Sequence, residues 1–228
     1  MPFSNMFNNG NMSKSDDTRL KITETALASF RERGYDQTTL RLIATEAGLS
    51  VGNAYYYFPT KNHLVQELYI RVQQEHRMMA EPLLVGVTDL PTRLETVLMT
   101  GLDALRPYHD SAPGFLSAAI APTSAVSPFG SDSAEPRQLA VGLFDEVVEG
   151  STNPMPSALK SQLPELLWLA YMALALYWVY DTSPEQEKTR RLTKRAVKLF
   201  GMVLPLTRLP FVRGPLNEFL AIAQEARI

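Results

Sequence analysis

The sequence contains no cysteine, which excludes a disulfide framework and any metal site built from thiolates. Histidines are also scarce. The chain has only His63, His76 and His109, and the first two lie thirteen positions apart on one predicted helix, too far apart to share an ion. All three are interpreted as ordinary surface or helix-end residues, and no metal is expected.

Groups that carry out catalysis are missing as well. The sequence shows no Ser-His-Asp set, no convincing pair of carboxylates and no glycine-rich phosphate loop. We therefore expect neither an enzyme nor a bound cofactor.

Long apolar runs are absent too. The most apolar stretch, LLWLAYMALALYWVY from Leu166 to Tyr180, is shorter than the roughly 20 residues that a membrane span needs. It is better explained as a buried helix, so no membrane partner is expected. Residues 1–15 are polar and lack the basic start and apolar run of a secretion signal. We interpret them as a disordered lead-in and expect a cytoplasmic protein.

The sequence also lacks an excess of basic charge. The net charge is −2, whereas DNA-binding proteins often carry a basic surface. Between residues 14 and 61 there are seven basic and six acidic residues. Any case for a nucleic-acid partner must therefore rest on helix pattern and geometry.

Helical periodicity is what the sequence does contain. Apolar residues make up 45% of the chain, and the strict alternation of a strand is nowhere sustained. We predict an all-α protein. Asp16 or Asp17 is expected to cap a first helix that ends near Gly34, and Thr38 or Thr39 to cap a short second helix.

Two short helices joined by Gly48-Leu49-Ser50 have the dimensions of a helix-turn-helix. Each has apolar residues at helix-face spacing: Leu40, Ile43, Ala44 and Ala47 in the first, and Val51, Ala54, Tyr55 and Phe58 in the second. Gly48 is suited to the turn, and the alanines allow the helices to cross closely. At about 100° per residue, the second helix is predicted to turn Val51, Ala54 and Phe58 inward.

The outer face of the second helix is the candidate reading surface. Gly52, Asn53 and Tyr56 are predicted to point outward, with Tyr55 and Tyr57 on the flanks. Asn53 can pair with an adenine edge, and a tyrosine can touch a thymine methyl or a phosphate. Tyr55 is equally compatible with a place in the core, and Phe58 is expected there.

Residues next to this helix are candidates for further contacts. Arg41 can reach a guanine, although a solvated arginine is the alternative. Thr38 and Thr39 lie at a helix N-terminus, where backbone N–H groups attract phosphate. Lys61 begins a long fourth helix, capped by Thr60, and can pair with the DNA backbone.

The remainder of the chain is predicted to be helical with one loop. Helices are expected at 90–106, 114–121, 137–149, 157–180, 183–203 and 215–223. Residues 121–136 are interpreted as a mobile loop. The helix 157–180 is rich in aromatic residues. These residues form either the core and a dimer interface or the lining of an effector cavity.

The segment GYDQTTLRLIATEAGLSVGNAYYYFPTKNHLVQEL resembles the signature of the TetR family of repressors. The matching residues are Gly34-Tyr35, Thr39, Ile43-Ala44, Ala47-Gly48, Ser50, Tyr55, Phe58, Lys61 and Leu64. The resemblance covers roughly residues 16–76. It implies base-facing positions at Arg41, Val51, Gly52, Asn53 and Tyr55, and phosphate contacts from Thr39, Tyr57 and Lys61. Tyr57 stands where the family often has histidine.

The resemblance implies a domain order and a function. We expect a disordered lead over 1–15, a three-helix DNA-binding domain over 16–76, and a larger helical effector-binding and dimerisation domain over 77–228. The last two long helices would form the interface of a homodimer. The expected function is a repressor that a hydrophobic small molecule releases from a palindromic operator.

Two points stay open in this interpretation. The candidate effector pocket is a guess from apolar residues of the body: Phe115, Leu116, Trp168, Tyr171 and Met172. The alternative function is a DNA-associated structural or adaptor protein that has the same fold but does not regulate a promoter.

Overall fold

All regular structure in the described part of the chain is helical, which confirms the all-α prediction. The computed structural model describes residues 13–120 and 124–225. Residues 1–12 of the predicted lead and 121–123 of the predicted loop lie outside this description. No helix within the described ranges is both long enough and apolar enough to cross a bilayer.

Ten α-helices occur in the described ranges. They are α1 Lys14–Gln37, α2 Leu40–Glu46, α3 Val51–Tyr57, α4 Lys61–Leu84, α5 Leu90–Leu105, α6 Ala112–Ala119, α7 Ala134–Glu149, α8 Ser157–Val179, α9 Glu187–Val203 and α10 Arg213–Glu225. Short 3₁₀ turns connect several of them, at Arg106–Ser111, Ser131–Ser133, Pro184–Gln186, Leu204–Arg208 and Pro210–Val212.

The chain divides into two units between Leu68 and Tyr69. The helix α4 runs through this division without interruption. In the first unit, Ile22, Phe30 and Phe58 are among the fully buried side chains. In the second unit, buried residues of α5, α7, α8 and α9 share one core with Leu220 of α10.

The first helix begins three or four residues earlier than predicted. Its N-cap is Ser13, whose hydroxyl accepts a hydrogen bond from the Asp16 backbone N–H at 3.2 Å, while the Asp16 carboxylate accepts from the Ser13 N–H at 3.2 Å. This reciprocal pair is a capping box, so the prediction of Asp16 or Asp17 as the cap was wrong. Gly34 has a φ of +79°, as expected of a residue that ends a regular helix.

The helix α9, in contrast, starts later than predicted. Ser183-Pro184 opens a 3₁₀ turn, and the α-helix begins at Glu187. The buried Asp181 carboxylate accepts from the Ser183 N–H at 2.9 Å and from the Thr189 N–H at 2.7 Å. The Ser183 hydroxyl accepts from the Lys188 N–H at 3.1 Å, so Asp181 and Ser183 together satisfy the first turn of α9 from outside the helix.

One buried arginine ties two helix ends together in the second unit. Arg93 of α5 donates from Nη1 to the carbonyls of Leu84 at 3.2 Å and Val87 at 2.6 Å. It also donates from Nη2 to Glu146 O at 2.7 Å and from Nε to Val147 O at 3.0 Å. Carbonyls at helix C-termini lack partners within the helix, so this guanidinium satisfies the ends of α4 and α7 together.

We expect Arg93→Met to lower the free energy of unfolding by about 3 kcal/mol, because it leaves several buried carbonyls without donors. The matched control is Arg106→Met, which removes an arginine whose pair with Glu185, at 3.2 Å, is exposed. That change should cost less than about 1 kcal/mol. Urea unfolding of the two variants measures the difference, and equal losses would show that Arg93 has no special role.

Candidate nucleic-acid interface

The turn between α2 and α3 depends on Gly48. Its φ is +66°, in the left-handed region that glycine adopts without strain, which agrees with the expectation that Gly48 suits the turn. Two hydrogen bonds close the turn, from Gly48 N–H to Thr45 O at 3.0 Å and from Leu49 N–H to Ala44 O at 2.9 Å. The Ser50 hydroxyl then accepts from Asn53 N–H at 3.1 Å and caps α3. The direction of α3 is therefore determined within a few residues.

Small apolar side chains allow α2 and α3 to cross closely. Ala44, Ala47 and Ala54 are almost completely buried where the two helices meet. Ile43 and Phe58 are buried with them. These positions confirm the predicted inner face of α2 and, at Ala54 and Phe58, that of α3, and they leave the opposite face of α3 available to solvent.

The outer face of α3 presents mainly tyrosines. Tyr56 is 80% exposed and Tyr55 is 49% exposed, while Gly52 is exposed and Asn53 is half-buried. Val51 is 37% exposed, so its predicted inward direction was wrong. Val51 is the first residue of α3, and no earlier helical turn covers it. The result is an apolar and hydrogen-bonding surface with no charged side chain on α3 itself.

Tyr57 lies at the edge of this surface. Its half-buried ring meets the ring of Tyr56 edge-on, with centroids 5.2 Å apart and planes at 88°. Such T-shaped contacts stabilise both rings and restrict their motion. The contact therefore orders two of the three predicted tyrosines.

Two threonines near the N-terminus of α2 were predicted to have the same role, but they differ in the structure. Thr39 is exposed and caps α2 by accepting from Leu42 N–H at 3.2 Å. Thr38 is fully buried, and its hydroxyl donates to Gly34 O at 2.8 Å and lies 3.2 Å from the Ser29 hydroxyl. The Thr38 side chain is therefore engaged inside the unit and not open to a phosphate, whereas the Thr39 side chain is open to solvent. Arg41, two residues further, is exposed.

Lys61 connects the start of α4 to the end of α1. Its ammonium donates to Tyr35 O at 2.8 Å and lies 3.8 Å above the Tyr35 ring. Burial lowers the pKa of this lysine, and the Asp36 carboxylate opposes that shift. The Tyr35 hydroxyl donates to the Asn62 amide oxygen at 3.1 Å. Sequence reasoning missed Tyr35 and Asn62 in this role, because their partners lie more than twenty residues away.

Two arginines of the first unit are held in ion pairs. Arg33 lies 2.7 Å from Glu46, and Arg19 lies 2.8 Å from Glu67 and above the Phe58 ring. These pairs neutralise basic charge within the unit. The net charge of this segment is therefore near zero, and part of its charge is paired within the helix-turn-helix unit.

The five candidate pocket residues of the body are packed rather than exposed. Phe115, Trp168 and Tyr171 are buried, and Leu116 and Met172 are half-buried. A surface cavity of about 540 Å³ lies elsewhere, between α5 and α9, and none of the five residues lines it. Within the described ranges, no three His, Asp or Glu side chains are placed to hold a metal ion.

The geometry defines a class of protein. Two short helices that cross through alanines, with a glycine turn and an exposed second helix, form a helix-turn-helix of the kind that places its second helix in the major groove. The family model described as "Bacterial regulatory proteins, tetR family" matches residues 22–68. The model described as "Tetracyclin repressor-like, C-terminal domain" matches residues 93–224. The chain belongs to the TetR family.

Relatives and solved structures agree with this assignment. The chain is 33% identical over 86 residues to the probable acrEF/envCD operon repressor of Escherichia coli K12, covering 37% of this chain and 39% of that one. It is 42% identical over 50 residues to an uncharacterized HTH-type transcriptional regulator of Mycobacterium bovis, covering 22% and 24%. The matched segment therefore spans well under half of either relative.

The fold as a whole matches that of solved family members. A TetR-family transcriptional regulator from Syntrophomonas wolfei superposes with a TM-score of 0.64 at 16% identity, covering 83% of this chain and 97% of that one. Regulators of this family are generally transcription factors without enzymatic activity, and the family fold supports DNA binding and dimerisation.

Two glycine-to-alanine changes should have opposite effects. Gly48→Ala forces a side chain into the left-handed region and should lower the stability of the α2–α3 unit by about 1–2 kcal/mol. Gly52→Ala lies in an ordinary helical position and should raise it by about 1 kcal/mol. No atom lies within 4 Å of the added carbon in either case, so neither substitution creates a steric clash that would alter the stability. Amide hydrogen exchange of α2 and α3 measures both; effects of the same sign would contradict the account of the turn.

Proposed function

We propose that the protein is a transcriptional repressor that binds a palindromic operator as a homodimer and leaves it when a small molecule binds the second unit. The observation that carries this proposal is the exposed outer face of α3, with Tyr56 80% exposed on a helix that is capped and oriented by the turn before it. The operon repressor among the relatives supports repression and does not favour the adaptor alternative.

The proposed DNA contacts combine base edges and phosphates. Arg41, Val51, Gly52, Asn53, Tyr55 and Tyr56 would face bases. Thr39, Ser50, Tyr57 and Lys61 would contact phosphates. The Ser50 hydroxyl accepts a hydrogen bond as a cap and still has its own hydrogen to donate. Lys61 has further N–H groups beyond the one on Tyr35 O.

The apolar surfaces of the last two long helices support a homodimer. Exposed apolar residues lie on α8 at Leu169, Leu176 and Tyr177, at its C-cap Tyr180, and on α9 at Leu192, Leu199, Met202 and Val203. Their spacing of three, four and seven residues produces one apolar stripe on each helix. Two such helices from each copy would form a four-helix interface and bring two α3 helices to the two half-sites of an operator.

Effector control would act through α4. This helix is continuous from Lys61 to Leu84, so it belongs to both units. A molecule bound beside the second half of α4 would change the position of its first half, and with it the spacing of the two reading helices. The pocket residues from the sequence, Phe115, Leu116, Trp168, Tyr171 and Met172, remain candidates for an apolar effector. Operator binding implies a cytoplasmic protein.

The DNA contacts are tested by replacing Asn53 and Tyr55 with alanine together. Each base contact is worth about 1–3 kcal/mol, and a dimer loses two contacts in each copy, so binding to the operator should weaken by about a thousandfold or more. A mobility-shift assay on the intergenic DNA beside the gene measures the affinity. Gln74→Ala, which removes an exposed amide of α4 in the second unit, is the control and should bind as the unchanged protein does. Undiminished binding by the double variant would mean that α3 is not the reading helix.

The dimer interface is tested with two exposed apolar residues. Leu199→Arg places a charge on the α9 stripe and should convert the dimer to monomer. Val85→Arg makes the same kind of change at a residue that is even more exposed but lies outside both helices, and the dimer should persist. Sedimentation equilibrium gives the mass of each variant. If Leu199→Arg keeps the dimer mass, the interface lies elsewhere.

A further inference from the structure

Large apolar side chains at the surface are concentrated in the last helices of the described chain. Of the 21 exposed large apolar residues in the described ranges, 13 lie between Leu169 and Ile222. Eight of them belong to α8, its C-cap and α9, and the other five follow α9: Leu206, Leu209, Phe211, Phe219 and Ile222. Soluble proteins rarely expose large apolar patches, so a concentration of this kind indicates an interaction surface.

The helix α10 has two rows of apolar residues with the same spacing of four and three positions. We call them the inner row, Leu216, Leu220 and Ala223, and the outer row, Pro215, Phe219 and Ile222. Each member of the outer row comes one position earlier, so the outer row is turned by about 100° around the helix. Leu220 is buried in the core of the second unit, whereas Phe219 is 54% exposed and Ile222 is 58% exposed. The inner row holds α10 to its own chain and leaves the outer row open to solvent.

The helix α8 carries a longer row with this spacing, which continues to its C-cap. Successive members are four or three residues apart, as in a seam onto which another helix packs, and we call this row the α8 seam: Gln162, Leu166, Leu169, Ala173, Leu176 and Tyr180. The helix α10 packs on α8, and Ala223 borders one small cleft with Gln162, Leu166 and Leu169. The first half of the seam therefore adjoins a helix of its own chain. The second half is exposed.

The position of α10 constrains the proposed dimer. In a four-helix interface the outer faces of α8 from the two copies approach each other, but α10 already lies beside the first half of the α8 seam. The second half of the seam is left for the other copy. A stable interface uses about 20–30 residues from each copy, and the eight exposed large apolar residues of α8 and α9 make up only part of such a number. The outer row of α10 provides further apolar surface next to them.

We propose that α10 is a third helix of the homodimer interface, and that its outer row packs on the second half of the α8 seam of the second copy. Phe219 and Ile222 of each copy lie against Leu176 and Tyr180 of the other. The outer row advances by four and then three residues, and the seam read backwards from Tyr180 does the same, so the two helices match when they run antiparallel. Two-fold symmetry makes the contact twice. This inference rests on the proposed function, since it concerns the same homodimer.

The first test places a charge on the outer row of the full chain. In Phe219→Arg, two aromatic contacts are lost and two charges enter the interface, so the dissociation constant of the dimer should rise about a hundredfold or more. Ala221→Arg is the matched control, because Ala221 is exposed on the same helix but lies about 160° around it from Phe219. Its dimer should keep the affinity of the unchanged protein. Sedimentation equilibrium over a range of concentrations measures both constants, and circular dichroism should show equal helix content.

The absence of cysteine allows a second test that does not weaken the interface. Ile222→Cys and Leu176→Cys are co-expressed with tags of different size and oxidised. A disulfide requires the two Cα atoms to lie within about 7 Å, so a cross-linked mixed dimer should be recovered under denaturing, non-reducing conditions. Asn217→Cys, at an exposed position on another side of α10, replaces Ile222→Cys in the control and should give no mixed dimer.

The failure of this contact can be separated from the failure of the proposed function. An unchanged dissociation constant in Phe219→Arg, or no mixed dimer with Ile222→Cys, would overturn the inference. If Leu199→Arg is monomeric in the same measurements, the proposed homodimer stands and only the role of α10 is refuted. Operator binding is measured separately by mobility shift. A cross-linked mixed dimer that does not bind the intergenic DNA would refute the repressor and support the α10 contact.

Discussion

The positive φ of Gly48 is the constraint on which the candidate interface depends. It turns the chain sharply enough for α3 to cross α2 on the small side chains Ala44 and Ala54. That crossing buries one face of α3 and exposes the other. Since α3 has only seven residues, it would not hold a helical conformation without the Ser50 cap and this packing. The reading surface is thus a consequence of a local backbone conformation, supported by a few apolar contacts.

The parts that could be predicted from the sequence are those decided by neighbouring residues. The Gly48 turn, the Thr39 and Ser50 caps and the alanine-lined faces all depend on residues within one or two helical turns. The starts of α1 and α9 were misplaced where more than one polar side chain near a helix start could bond its first turn. Residues that act across the chain gave no signal. Arg93 bonds carbonyls as far as 54 residues away, and its role appears only in the fold.

The weak charge of the first unit has a structural counterpart. Arg19 and Arg33 pair with glutamates, and Lys61 is partly committed to Tyr35. The groups proposed to contact DNA are mostly neutral hydroxyl and amide groups, supported by the N-termini of short helices. Such contacts recognise sequence and position better than they supply long-range attraction. The proposed dimer with two copies of α3 would compensate, because it would double a small contact surface on a symmetric site.

The central claim is that two copies of α3 read a two-fold symmetric DNA site. Methylation-interference footprinting of the full chain on the intergenic DNA beside its gene tests this most directly. We predict two inverted half-sites, separated by one helical turn of about 34–36 Å or a multiple of it, in which methylation of guanine N7 in the major groove blocks binding. A single unpaired site, or binding indifferent to major-groove methylation, would contradict the account.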